Sequence, residues 1–272
     1  MADADDASAD GIDPLADDPR VQEALGDAYP LLRRFAELLA DEGVRRGLIG
    51  PREVPRLWER HLLNCAAAAS LVPPGRLVDV GSGAGLPGVV LAALRPDVEV
   101  VLLEPMERRT RWLTEVVDDL GLGVEVLRGR AEEQQGRLYA DAVTARAVAP
   151  LERLAGWTLP LLRRGGELLA LKGERASDEL AEARGAIARL GGGPGDVVTA
   201  RLVPGVAETW VVRIERVAEA VPELPAPGKR TPSSRTTRSG QQGGETPRHG
   251  GRRGPGGGRS ARGGRAGGRR ST

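Results

Sequence analysis

Between residues 20 and 43, apolar side chains recur at helical spacing (Val21, Leu25, Leu31, Leu32, Phe35, Leu38), interrupted near Pro30. A second helical stretch over residues 52–71 passes Leu57 and Leu62, enters an alanine run and stops at Pro73-Pro74-Gly75. Apolar residues three and four apart share one face of a helix, so both stretches present a single stripe to a partner. Beyond residue 75 the period changes. Short β-rich runs at 76–80, 98–104, 124–128, 142–147 and 167–171 alternate with helical stretches around 87–94, 106–120, 150–163 and 175–190. Strands alternating with helices predict a parallel sheet with helices on both faces. The last two runs, 197–203 and 209–214, have only Pro204-Gly205 and a few residues between them. That connection is of hairpin length, so the final strand is expected to be antiparallel.

Charge divides the chain differently. Residues 1–19 hold seven aspartates and no Lys or Arg, whereas residues 228–272 hold twelve Lys or Arg against the single acid Glu245. The second segment thus carries a formal +11, and a whole-chain charge of +1 leaves −10 for residues 1–227. Neither end has apolar surface to offset the entropy of ordering it, so both are expected to be disordered. The expected division is an acidic arm (1–19), a helical module (20–74), a Rossmann-like domain (75–217) and an Arg/Gly-rich tail (218–272). There is no apolar run long enough to span a bilayer, and the acidic start is the reverse of a secretory signal. One cysteine, Cys65, and two histidines argue against a disulfide and a metal site. A cytoplasmic monomer is expected.

The strongest local signal follows the first strand: Val78-Asp79-Val80-Gly81-Ser82-Gly83-Ala84-Gly85-Leu86-Pro87-Gly88. Glycines let a backbone turn sharply and approach a ligand where a Cβ would collide. Gly83, Gly85 and Gly88 satisfy the dinucleotide pattern G-x-G-x-x-G, and Glu104 ends the second strand where a ribose-binding acid belongs. The loop alone therefore admits a nicotinamide cofactor. Asp79 tilts the choice, because a carboxylate facing the ligand repels a pyrophosphate and attracts an ammonium or sulfonium. Glu132, after the third strand, stands where an adenine amino group would be held. These acids, with the closing antiparallel hairpin, predict an α/β class I S-adenosylmethionine-dependent methyltransferase sheet preceded by a helical module.

The string from Asp79 to Gly88 resembles that of the bacterial 16S ribosomal RNA guanine-N7 methyltransferases, the glucose-inhibited division protein B family. The resemblance covers roughly residues 48–215. Arg60-His61-Leu62-Leu63-Asn64 is similar to the family's R-H-x-L-D/N helix, and Arg130-Ala131-Glu132-Glu133 to its R-x-E-E turn. Thr144-Ala145-Arg146-Ala147 resembles its S-R-A strand end, with Ala145 replacing the serine, and Leu171-Lys172-Gly173 resembles its L-K-G. The module has Arg46-Gly47-Leu48-Ile49-Gly50 in place of the common aromatic-Asn-Leu-Thr stretch, and the charged ends fall outside the pattern. The resemblance implies methylation of guanine 527 of 16S rRNA, alone or in a small-subunit particle. It implies cofactor contacts at Gly81, Leu86, Ala131, Glu132 and Arg146, with Glu104 at the ribose. Arg60, His61 and Lys172 fall on the RNA side.

The chemistry agrees with a ring-nitrogen acceptor. Guanine N7 has a free lone pair, so transfer needs alignment rather than a general base. A cytosine-C5 enzyme needs a thiolate, and Cys65 lies in an alanine-rich helix that reads as packing. Arg146 and Lys172, at the ends of the fourth and fifth strands, are the candidates for acting on the reacting groups. Lys172 is one of only two lysines among 39 basic residues, which suggests that a compact ammonium is needed there. With seven aromatics in all, RNA recognition is expected to rest on shape and arginines rather than stacking, with the basic tail as a phosphate binder. Two other readings remain open at this point: a small-molecule methyltransferase, and an RNA-binding protein with a vestigial cofactor site.

Overall fold

The structure, a computed structural model, describes residues 13–217. The expectations for residues 1–12 and 218–272 lie outside the described residues. The β-rich runs form one seven-stranded sheet of β1 (Gly75–Val80), β2 (Val98–Glu104), β3 (Glu125–Arg128), β4 (Ala140–Arg146), β5 (Leu162–Lys172), β6 (Asp196–Ala200) and β7 (Thr209–Glu215). Their order is 3-2-1-4-5-7-6. β1 to β5 pair in parallel, and β7 lies antiparallel to both β5 and β6, as the short final connection predicts. β5 begins five residues before the run that predicted it, because Leu162 already pairs with Ala140 across Gly165-Gly166.

The helical module opens with α1 (Pro19–Leu25), where the Asp18 side chain accepts the Arg20 N–H and proline takes the first turn. After a 3-10 turn, α2 (Tyr29–Leu38) follows with Pro30 in its own first turn, which explains the interruption read from the sequence. The helix expected over 52–71 is broken into a 3-10 segment Pro51–Arg56, a π segment Trp58–Leu63 and a single turn, α3 (Asn64–Ala66). Pro55 removes one backbone donor and disfavours helical geometry just before it.

The crossovers are α4 (Gly88–Leu94), α5 (Glu107–Asp119), the short α6 (Ala131–Gln134), α7 (Leu151–Thr158) and α8 (Ala176–Arg189). Strand side chains alternate between faces. Leu77 and Leu102 pack with the module, α4 and α5 in one hydrophobic cluster. Val78, Val80, Val101 and Leu103 pack toward α7 and α8 in the other. The first cluster runs without a break from Val21, Phe35 and Leu62 to Val89 and Trp112, so the module and the sheet share one core. Burying the Phe35 ring alone contributes about 1.5–3 kcal/mol. A polar pair joins the module to the last strand: Asn64 Nδ2 donates to Thr209 Oγ1 at 2.8 Å, and that hydroxyl donates to Asn64 O at 2.9 Å. Among the described residues, no helix is long and apolar enough to cross a membrane.

The expected acidic arm needs a correction over residues 13–19. Asp13 is buried, and its carboxylate accepts the Trp58 N–H at 2.6 Å and the Leu15 N–H at 3.0 Å. Tyr29 donates its hydroxyl to Ala16 O at 2.7 Å, and Arg33 pairs with Asp17 at 2.8 Å. These aspartates are consumed by backbone donors and arginines of the module, so their charge does not keep the segment in solvent.

Candidate active site

In the strand order 3-2-1-4-5 the chain leaves β1 and β4 in opposite directions, opening a crevice at their carboxyl ends where open α/β sheets bind ligands. A cavity of about 560 Å³ lies there, within the usual range for small-molecule sites. Its floor is made by residues that end or follow β1 to β4, including Gly81, Glu104, Ala131 and Arg146. Leu48, Ile49, Glu53 and His61 of the helical module close one wall.

The glycine loop is held in place on all sides. Gly81 N–H donates to Leu103 O at 2.8 Å, the Ser82 hydroxyl to Asp79 O at 2.9 Å, and buried Trp112 donates its ring N–H to Ala84 O at 3.0 Å. Gly81, Gly83 and Leu86 line the cavity. Gly81 sits at φ +72°, and a Cβ there would meet the Val148 methyls at 3.1 Å. Gly85 serves something else. At φ +103°, a Cβ on it would lie 2.8 Å from Val89 and 3.1 Å from Phe35, and it does not line the cavity. Its lack of a side chain seats the module on the sheet.

The acids divide too. Glu104 is buried at the cavity floor, where one oxygen accepts Gly83 N–H at 3.0 Å and the other Met106 N–H at 2.9 Å. Each oxygen keeps a second lone pair. Asp79 departs from the expectation that it faces the ligand. It is fully buried and does not line the cavity, and its carboxylate points to α4, where Oδ2 accepts the Gly88 N–H at 3.1 Å. The physical reason is strand parity: Asp79 shares the face of Leu77, the face that α4 covers. Its other oxygen is buried without a partner, and burial pushes its pKa up to about 7 despite the Gly88 bond. In the R-x-E-E turn, Glu133 accepts the Arg130 N–H at 3.1 Å and caps α6. Glu132 is exposed at the cavity rim and makes no ion pair among the described residues.

Arg146 ends β4 and lines the cavity, with Nη1 donating to Arg60 O at 3.3 Å and Nη2 lying 3.0 Å from His61 Nδ1. The other His61 nitrogen is 2.9 Å from Glu53. The Arg60 side chain itself is exposed, 3.9 Å from Glu53. After Arg146 the backbone enters left-handed space at Ala147, φ +53°, an uncommon conformation for a residue with a Cβ. That turn swings Val148 across Gly81.

Lys172 departs from its expected place on the RNA side. Its side chain is 9% exposed, and its ammonium donates to Glu179 at 2.7 Å and Ala149 O at 2.8 Å. It lies behind the loop that carries Ala147 and Val148 and does not line the cavity. Burial works against ionisation of Glu179, but Lys172 and the Leu151 N–H outweigh it and hold its pKa below the ordinary value. Cys65 is fully buried, and burial pushes its thiol to about 11, so it is no nucleophile.

The family model for rRNA small subunit methyltransferase G matches residues 28–201. The chain belongs to this family. It is 60% identical to the ribosomal RNA small subunit methyltransferase G of Thermobifida fusca over 197 residues, which is 71% of this chain and 82% of that one. To the protein of the same name from Streptomyces coelicolor it is 53% identical over 225 residues, 81% of this chain and 93% of that one. A solved S-adenosylmethionine-dependent methyltransferase, SibL in its apo form, superposes with a TM-score of 0.50 at 17% identity, covering 73% of this chain and 77% of that chain. That likeness concerns the fold, a class I methyltransferase sheet.

The cofactor of this family is S-adenosylmethionine, and the cavity fits it. The cradle at Gly81 would be filled by a Cβ, a buried carboxylate lies on the floor at Glu104, and Glu132 stands at the rim. When bound, the cofactor supplies an electrophilic methyl group on a sulfonium.

Several lining residues escaped the sequence reading. Glu53 belongs to no motif, and Leu48 and Ile49 lie in the stretch that departs from the family pattern. Val148 has no chemistry of its own, and Trp157 lies on α7 outside every motif. Only Trp157 carried a signal, being one of four tryptophans in an aromatic-poor chain.

Proposed function

We propose that this chain transfers a methyl group from S-adenosylmethionine to N7 of a guanine in 16S rRNA, guanine 527 by the family resemblance. The observation that carries the reading is the cavity at the sheet's switch point, bounded by the glycine loop, Glu104 and Arg146. Membership in the rRNA small subunit methyltransferase G family supports RNA as the substrate. In this reading Gly81, Gly83, Leu86 and Ala131 shape the cofactor's bed. Glu104 accepts from ribose hydroxyls through its spare lone pairs, and Glu132 accepts from the adenine amino group.

Asp79 acts from behind, its carboxyl accepting the Gly88 N–H and fixing the start of α4. Arg146, a cofactor contact by the resemblance, also stands at the reacting end, where it can donate to O6 of a guanine and leave the N7 lone pair free. N7 attacks with its own lone pair, so the protein's work is alignment and exclusion of water. No proton has to be removed from N7. Exposed Arg60 suits a phosphate contact beside the cavity. The basic end, residues 228–272, acts as an electrostatic tether with its formal +11. A small-subunit RNA substrate supports a cytoplasmic site of action.

The test is methyl incorporation with labelled S-adenosylmethionine into 16S rRNA, naked and in 30S particles, followed by mass-spectrometric mapping. A single N7-methylguanine is the expected product. Label on another atom or nucleotide overturns the assignment. Cofactor binding with no RNA methylation favours a small-molecule acceptor, and no cofactor binding favours a vestigial site.

A further inference from the structure

Three side chains from separate segments form a line of hydrogen bonds along the cavity wall: Arg146 Nη2 to His61 Nδ1 at 3.0 Å, and His61 Nε2 to Glu53 at 2.9 Å. All three line the cavity. A guanidinium has only donors, so Nδ1 must accept, and a nitrogen that accepts carries no proton. The ring proton therefore sits on Nε2 and is donated to the Glu53 carboxylate. This fixes both the tautomer and the charge of His61.

We infer that His61 is a positioning residue, a neutral acceptor locked by Glu53 that aims the Arg146 guanidinium at O6 of the substrate guanine, beside the reacting N7, and that a proton on Nδ1 releases it. The inference rests on the proposed methyl-transfer reading, since it assigns Arg146 to the reacting end. An arginine has many rotamers, and one ordered before substrate arrives gives up little freedom on binding. Two acceptors order this one: the Arg60 carbonyl at 3.3 Å on Nη1 and His61 on Nη2. The remaining N–H groups are left for a ligand.

The surrounding charges keep the acceptor bare. His61 faces Glu53 and Arg60 from the module and Arg146 from β4, while Arg146 itself feels Asp79 on β1. Burial first, then Arg146 and Arg60, hold the His61 pKa below its ordinary value against the opposing pull of Glu53. Glu53, hydrogen-bonded to His61 and close to Arg60, is held below its own ordinary value and stays ionised. The folded state thus disfavours protonated His61, so the relay is intact at neutral pH and is lost as pH falls through the lowered pKa.

The test combines nitrogen NMR of the full chain with kinetics. The only other histidine is His249, so a His249→Ala variant assigns the His61 signals. Expected are the Nε2–H tautomer at neutral pH and titration below the ordinary histidine range. An Nδ1–H tautomer or ordinary titration overturns the inference, whatever the activity. For kinetics, an asparagine amide reaches about as far as Nδ1, whereas a glutamine amide reaches about as far as Nε2. His61→Asn is expected to keep methyl transfer within about threefold and to lose the acid limb of the kcat/KM profile. His61→Gln and His61→Ala are expected to lose about tenfold or more in kcat with S-adenosylmethionine affinity little changed. Equal rates in Asn and Ala variants, or an unaltered acid limb in His61→Asn, overturn it. Wild-type protein that methylates no RNA would refute the functional reading instead, leaving the tautomer to judge the relay.

Discussion

The Lys172 ammonium and the Glu179 carboxylate lie 2.7 Å apart, and between them they hold both ends of the loop after β4. Lys172 donates to Ala149 O at 2.8 Å, and Glu179 accepts the Leu151 N–H at 3.0 Å. That loop carries Ala147 and Val148, which form part of the cavity wall. Removing one partner leaves a mostly buried charge alone. Lys172→Met is expected to cost about 2–3 kcal/mol of stability, less than a fully buried pair because Glu179 keeps some contact with water. It should also weaken S-adenosylmethionine binding by loosening Val148 over Gly81. The double variant Lys172→Met/Glu179→Leu should recover much of the stability. Denaturant unfolding and calorimetry check both expectations, and a variant defective only in RNA binding would return Lys172 to the RNA side.

Glu104 is the acid on the cavity floor. Glu104→Gln keeps its size and removes its charge, so it should weaken S-adenosylmethionine binding by about 1–3 kcal/mol while the fold stays intact. Isothermal titration at neutral pH measures this. Unchanged affinity would mean that the ribose is held elsewhere.

Asp79 makes stability depend on pH. Its pKa is about 7 in the folded state against an ordinary 3.8. The folded chain therefore holds a proton that the unfolded chain releases. The stability tied to that proton is complete below about pH 4 and is lost as pH rises through 7. Asp79→Asn, which cannot ionise, should gain on the wild type by up to a few kcal/mol between pH 5 and pH 8. Urea unfolding of both proteins without cofactor measures the difference. Parallel stabilities across that range would mean that the carboxyl is ionised throughout.

The basic end should govern the salt dependence of RNA binding without choosing the site. Each phosphate neutralised adds about 0.7 to 0.9 to the slope of log affinity against log salt, so four contacts steepen it by about three. Truncation after Pro227 should flatten that slope and lower affinity at low salt, leaving the methylated nucleotide unchanged. Equal slopes would assign RNA binding to residues 1–227 alone.

The sheet was legible because its strands are short runs rich in Val and Leu and its turns carry Gly and Pro, signals that act over a few residues. Asp18-Pro19, a capping acid before a first-turn proline, was equally local and went unread because the surrounding aspartates suggested solvent. What local pattern lacked was the identity of distant partners. Lys172 looked like a ligand-directed ammonium until Glu179 appeared on the next helix. Asp79 stands at the right strand end, but only the packed sheet tells which face α4 covers. Glu53 and His61 acquire meaning through Arg146, which lies 85 residues beyond His61. Gly85 was read as a ligand glycine although Val89 and, fifty residues earlier, Phe35 are what need the space.

The Asn64–Thr209 exchange also has a consequence in time. The two residues are 145 positions apart, and a nascent chain grows at roughly 5–20 residues per second. The amino-terminal helices must therefore wait roughly 7 to 30 seconds after emerging before their final hydrogen-bonding partner is made. For most of that interval the cluster that holds Leu62, Leu63 and Cys65 lacks its late members Val203, Val206 and Val211. A truncated translation product that ends before residue 209 would contain the whole glycine loop and still be a substrate for chaperones rather than a functional fragment.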